Sequence, residues 1–90
     1  MKLIKTIQSI SIFKKGESNP NNYFEIDISH ISLDEIKLLI KARKRDPHYF
    51  EGYTLNKKQI EKVNPFLKEK IIPDFRTTFY VFSVSGEYEE

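Results

Sequence analysis

The side chains of this chain that could do chemistry are few and scattered. There are two histidines, His30 and His48, and no cysteine. Without cysteine there is no disulfide, no thiolate nucleophile and no cysteine-based zinc site. The spacing of the two histidines fits no metal-ligand pattern, so no metal site is expected. A general acid or base role suits His48 better than His30, but a structural or solvated imidazole accounts for either one. The serines at 9, 11, 18, 29, 32, 83 and 85 stand in no nucleophile elbow. Glycine occurs only at 16, 52 and 86, which leaves no loop to cradle a phosphate. Glu25 and Asp27 alternate on one strand face, roughly 7 Å apart by strand rise. Paired carboxylates serve glycoside chemistry, yet two acids alternating on a solvated strand are commonplace. The expectation is a protein that is not an enzyme, with no catalytic residue and no cofactor.

Binding chemistry is better represented. Lys37, Lys41, Arg43, Lys44 and Arg45 cluster, and Tyr49, Phe50 and Tyr53 follow closely. Cations beside exposed rings can hold single-stranded RNA through phosphate contacts and stacking. The same residues also read as a basic helix end followed by aromatics that plug a core. Acidic and aromatic residues form a second constellation. Tyr23, Glu25 and Asp27 share the outward face of a strand. Asp46, Tyr49, Phe50, Glu51 and Tyr53 crowd one irregular loop, and Tyr80 lies in the last strand. Tyrosine and phenylalanine are frequent interface anchors, and acids around them suit a basic protein partner. Those nine residues are the candidate partner-binding set. Burial in the core or in a homodimer would explain the same residues.

The elements that must position these groups follow from periodicity. Lys2–Phe13 reads as a strand, with Ile4, Ile10 and Ile12 on one parity and Ser9 and Ser11 on the other. Leu3 and Ile7 break that parity, which predicts a β-bulge near Ile7–Ser9 or a strand start apolar on both faces. The polar loop from Gly16 to Asn22 leads to a second strand, Tyr23–Ile28, so the pair should form a hairpin. Ser32 and Glu35 have capping-box spacing, and Leu33, Ile36, Leu39 and Ile40 form an apolar stripe. That helix should run on through Lys41–Arg45 until Asp46-Pro47 stops it. A second helix is expected from about Asn56 to Asn64, broken or restarted at Pro65. The last strand is Phe75–Val84, with either Tyr80 and Phe82 or Phe79 and Val81 facing outward. Residues 86–90 should fray.

The order β-β-α-α-β predicts an α+β two-layer sandwich: a three-stranded, mostly antiparallel sheet, the first strand central, and two helices on one face. A chain of 90 residues and 10.7 kDa forms a single domain, 1–90. Seven Phe and five Tyr supply much of its core area. The net charge of +2 is too small to imply nucleic-acid binding, and its blocks alternate in sign along the chain. No apolar run approaches the ~18 residues of a membrane span, and the first residues lack signal-peptide character. A cytoplasmic location with no membrane partner is expected.

One stretch carries a resemblance. Asp46-Pro47-His48-Tyr49-Phe50-Glu51-Gly52-Tyr53-Thr54-Leu55-Asn56-Lys57-Lys58-Gln59-Ile60, with Asn64-Pro65-Phe66-Leu67 after it, resembles small bacterial domains that include immunity proteins of contact-dependent growth inhibition and related polymorphic toxin systems. The resemblance implies a cytoplasmic inhibitor that binds a cognate protein toxin and covers its working surface; a monomer or homodimer is expected. The toxin would often be a nuclease. It also implies that no catalytic residue carries over. The alternative is a small RNA-binding regulatory domain that uses Lys41–Arg45.

Overall fold

A computed structural model describes the backbone of residues 2–19 and 22–89, and the side chains of 5–19 and 22–86. Pro20 and Asn21 of the expected loop, and Glu90 of the expected tail, lie outside the described residues. The elements are β1 (Lys2–Lys14), β2 (Tyr23–Asp27), α1 (Leu33–Leu39), β3 (Tyr53–Thr54), α2 (Lys57–Val63) and β4 (Thr78–Glu89). A single 3-10 turn, Asn64–Phe66, with Pro65 in its first turn, follows α2 directly. Among the described residues the fold is α+β: one antiparallel sheet of four strands in the order β2-β1-β4-β3, with two helices.

The sheet has four strands where the sequence predicts three. The addition, β3, is two residues long and pairs Tyr53 with Phe82 and Thr54 with Val81. A run that short has no visible alternation, so it reads as loop. The long first strand is central, as expected, and forms the expected hairpin with β2. Its register shift lies between Leu3 and Lys5, not at Ile7–Ser9, and pairing with β4 runs unbroken from Lys5 to Lys14. Ile7 therefore sits on the face away from the helices as an ordinary half-buried residue.

Directly opposed residues of an antiparallel pair share a face. Ile10 faces Ile26 and Phe82, and Ile12 faces Phe24 and Tyr80. These side chains form the inner face. Ile10, Phe82, Tyr80 and Val84 bury there in one cluster with Ile36 of α1 and Ile60 and Val63 of α2. The two open parities of the last strand are thus settled. Tyr80 and Phe82 point inward, and Phe79 and Val81 point to the other face. Gln8 is also inward and buried, and its side-chain amide donates to the carbonyls of Ile28 (3.2 Å) and Ile31 (2.7 Å). Its own backbone accepts from the Ile28 N–H at 2.8 Å, so one glutamine fixes the turn from β2 into α1.

The first helix is shorter than its charge pattern predicts. Ser32 caps it as expected, accepting from the Glu35 N–H. It ends at Leu39, and Ile40 is already extended. Ile40 turns into the core, and its carbonyl accepts from the Tyr49 hydroxyl at 2.7 Å. That carbonyl is the one a continuing helix would have offered to Lys44. Lys41–Arg45 consequently belong to a loop, and of the predicted cations only Lys37 lies in the last turn. The last strand likewise begins at Thr78, later than predicted, and continues past Val84 to Glu89.

Candidate protein-interaction surface

The face of the sheet away from the helices carries two kinds of chemistry. At one end, Phe13 stacks between Tyr23 at 4.8 Å and Phe79 at 5.1 Å, a row of rings across three strands. Further along β2, Glu25 and Asp27 stand exposed beside the small side chains of Ser11 and Ser9. Glu25 and Asp27 are exposed and Phe13, Phe79, Val81 and Ser83 only half-buried, so neither helix covers this face. Glu25 has no hydrogen-bond or ion-pair partner among the described residues. Asp27 accepts from the Ser29 N–H at 2.8 Å, and that bond holds its carboxyl below the ordinary aspartate range.

The aromatic loop does a different job from the one its composition suggests. Asp46 is buried, and its carboxylate accepts from the N–H groups of Phe50 (2.8 Å) and Glu51 (2.9 Å) and from the Tyr53 hydroxyl (2.8 Å). Burial pushes the Asp46 carboxyl up, but the Glu51 N–H, the Tyr53 hydroxyl, the Phe50 N–H and Arg43 together hold it below its ordinary value. Tyr53 in turn accepts from the Arg43 N–H at 3.1 Å, and the Arg43 guanidinium lies 4.4 Å above its ring. Tyr49 is 1% exposed and packs edge-on to Phe82. It takes a left-handed backbone conformation, φ 61°, which is unfavourable for an aromatic residue. The Val84 N–H donating to its carbonyl at 2.9 Å and its own hydroxyl bond hold it there.

These placements correct four of the nine predicted partner-binding residues. Tyr49, Tyr53 and Tyr80 are core side chains, and Asp46 organises the loop from within, so none of the four is available to touch a partner. Aromatic surplus signalled burial here, because part of the layer over the inner sheet face is built from loop and not from helix. Tyr23, Glu25, Asp27 and Phe50 are exposed, and Glu51 is partly so. They do not form one patch. The first three lie on edge strand β2, whereas Phe50 and Glu51 precede β3 at the opposite edge, roughly 14 Å away by strand spacing. Glu51 is also engaged by Arg43 at 3.1 Å and Arg45 at 3.3 Å.

The basic cluster changes character for the same reason. Arg43 and Arg45 are tied to Glu51, while Lys37, Lys41 and Lys44 border a shallow depression beside Pro47. Of the histidines, His30 Nε2 lies 2.7 Å from the Phe66 carbonyl, and the His48 ring leans on Phe50 at 5.9 Å. Among the described residues, no group of three or more His, Asp or Glu side chains could hold a metal ion. Nor is any helix among them long and apolar enough to cross a membrane. Two polar residues to which the sequence assigns no packing role matter to the scaffold. Gln8 locks the β2–α1 turn, and Asn64 pairs through its amide with both backbone groups of Ile71, pinning the irregular segment before β4. The Asn64-Pro65 pair marks the break after α2 but not the amide's bonds to Ile71, and the alternation of β1 does not show the bonds that Gln8 makes.

An antiparallel sheet with one helix-covered face and one face edged by rings and exposed acids defines a two-layer α+β domain with one uncovered sheet face. Residues 7–83 match a family described as a domain of unknown function (DUF7683), and the chain belongs to that family. Comparison with curated proteins and with solved structures gave no match.

Proposed function

We propose that this domain is a non-catalytic binding protein of the immunity type, which neutralises a cognate toxin domain in the cytoplasm by occupying its basic working surface. The observation that carries the proposal is the exposed acidic pair on β2, Glu25 and Asp27, beside the Tyr23–Phe13–Phe79 row. An unpaired carboxylate next to partly exposed rings offers a partner both a charge to neutralise and apolar area to bury. Tyr23, Glu25 and Asp27 form the centre of this surface, and Phe50 serves as a separate contact at the far edge. The resemblance of residues 46–67 to immunity domains supports the same direction.

The test uses the gene immediately upstream. If the immunity reading holds, that gene encodes a protein whose C-terminal domain, produced alone, arrests growth, and co-production of the present protein restores it. The purified pair should form a stable complex. Failure to protect against that domain, with both proteins folded, would remove the immunity reading. RNA binding is the second reading, favoured by Lys37, Lys41 and Lys44 around one depression. Binding to unrelated RNAs with a salt slope that flattens in Lys41→Gln/Lys44→Gln would support it.

A further inference from the structure

The outer edge of β2 is a free sheet edge, because the strand order places no neighbour beyond it among the described residues. The pairing pattern says which groups that edge presents. Ile28 donates to the Gln8 carbonyl, so by alternation Ile26 and Phe24 spend their N–H and C=O groups on β1. The N–H and C=O groups of Tyr23, Glu25 and Asp27 therefore point outward, towards whatever lies beside the strand. Natural proteins seldom leave such an edge with large apolar side chains uncovered. Here Phe24 is 79% exposed on the inner side and Ile26 is half-buried. Shallow grooves open beside both, one lined by Ile12 and Phe24, the other by Ile26 and Leu67.

We propose that this edge accepts an extended segment of a partner protein as a fifth strand, in which cationic side chains alternate with apolar ones. The cations would lie on the open face against Glu25 and Asp27. The apolar residues would fall on the other face, over Phe24 and Ile26. Period-2 side-chain alternation makes both matches at once, with the backbone groups of Tyr23, Glu25 and Asp27 forming the ladder. A second copy of this chain suits the edge poorly. Two β2 strands paired antiparallel about Glu25 or Ile26 set Glu25 directly against Glu25 or Asp27, and like charges in opposed positions repel. The proposal rests on β2 being the protein-binding side, and it adds the chemistry and backbone geometry of the bound segment.

A short synthetic peptide alternating lysine and valine is the probe. Two further forms are N-methylated, one on every lysine and one on every valine, so that each blocks one edge of the extended peptide without changing charge. In strand addition, one methylated form loses about tenfold or more in affinity while the other binds like the parent. The lysine form is the one lost if pairing is antiparallel. Amide exchange read by NMR should slow at Tyr23, Glu25 and Asp27 when the parent peptide binds, and change little at Phe24 and Ile26. No binding of the parent peptide, equal binding of the two methylated forms, or unaltered exchange at those three amides would each overturn strand addition. A toxin domain still bound and neutralised in the face of that result would leave the protein-binding reading standing. A peptide bound in register without any toxin partner would do the reverse.

Discussion

The Tyr53 hydroxyl donates to the Asp46 carboxylate at 2.8 Å while the Arg43 N–H donates to the same hydroxyl at 3.1 Å. One phenol thereby joins the chain leaving α1 to the loop that enters β3. Tyr53→Phe keeps the ring under the Arg43 guanidinium and deletes only the hydroxyl. It should lower the urea midpoint of unfolding with the far-UV spectrum unchanged, and it should leave partner affinity where it was. A loss of affinity at unaltered stability would put Tyr53 back among the contact residues.

Tyr49 separates packing from polar bonding. Tyr49→Phe removes the donor to the buried Ile40 carbonyl and should destabilise by about 1–2 kcal/mol. Tyr49→Ala also empties a ring-sized volume against Phe82 and should cost about 3–5 kcal/mol, a large share of what a domain of this size has. Denaturant titration of the two variants checks both the order and the gap.

Acid should weaken the fold through Asp46. Its folded-state value is depressed, so its contribution is complete above the ordinary aspartate range and is lost as pH falls through that range to the lower folded value. Asp27 and Glu17 act in the same direction, each through hydrogen bonds from neighbouring N–H groups. Thermal melts taken at successively lower pH should show the midpoint falling in that window, with a shallower fall in Asp46→Asn. Tyr49 and Tyr53 are shifted the other way, chiefly by burial, and add stability that is lost only as alkali ionises them. An identical acid profile in wild type and Asp46→Asn would show that the carboxylate is not what the loop depends on.

Gly52 matters for room. A Cβ at that position would lie 2.9 Å from Val81 Cγ1, the stiff end of a β-branched side chain on the sheet. Gly52→Ala should destabilise by about 1 kcal/mol. Combined with Val81→Ala, the effect of the added methyl should largely vanish, since the two sites share one contact. Additive losses in the double variant would contradict the clash.

Much of the sheet was legible in the sequence. The alternation of Phe24, Ile26 and Ile28 fixed the inner face of β2, and Ser32 marked the start of α1 correctly. The parity of the last strand was not legible, because Phe79, Tyr80, Val81 and Phe82 are all good strand formers and only the register with Ile10 and Ile12 decides between them. The end of α1 was missed for a tertiary reason: Tyr49, nine positions on, captures the Ile40 carbonyl. The same loop buries Asp46, Tyr49 and Tyr53. Composition showed that residues 46–53 were rich in rings, but rings that seal a core and rings that meet a partner have the same composition. Glu25 and Asp27 stand exposed, where strand parity alone places them.

The decisive measurement is the affinity of two variants that spare the core, Glu25→Lys/Asp27→Lys and Phe50→Ala, for the toxin domain proposed as partner. Charge reversal on β2 should weaken the complex at least a hundredfold and abolish growth protection, with the unfolding midpoint little changed; Phe50→Ala should have the smaller effect. A complex that tolerates the reversal and fails with Phe50→Ala would move the binding surface to the other edge of the sheet and contradict the account.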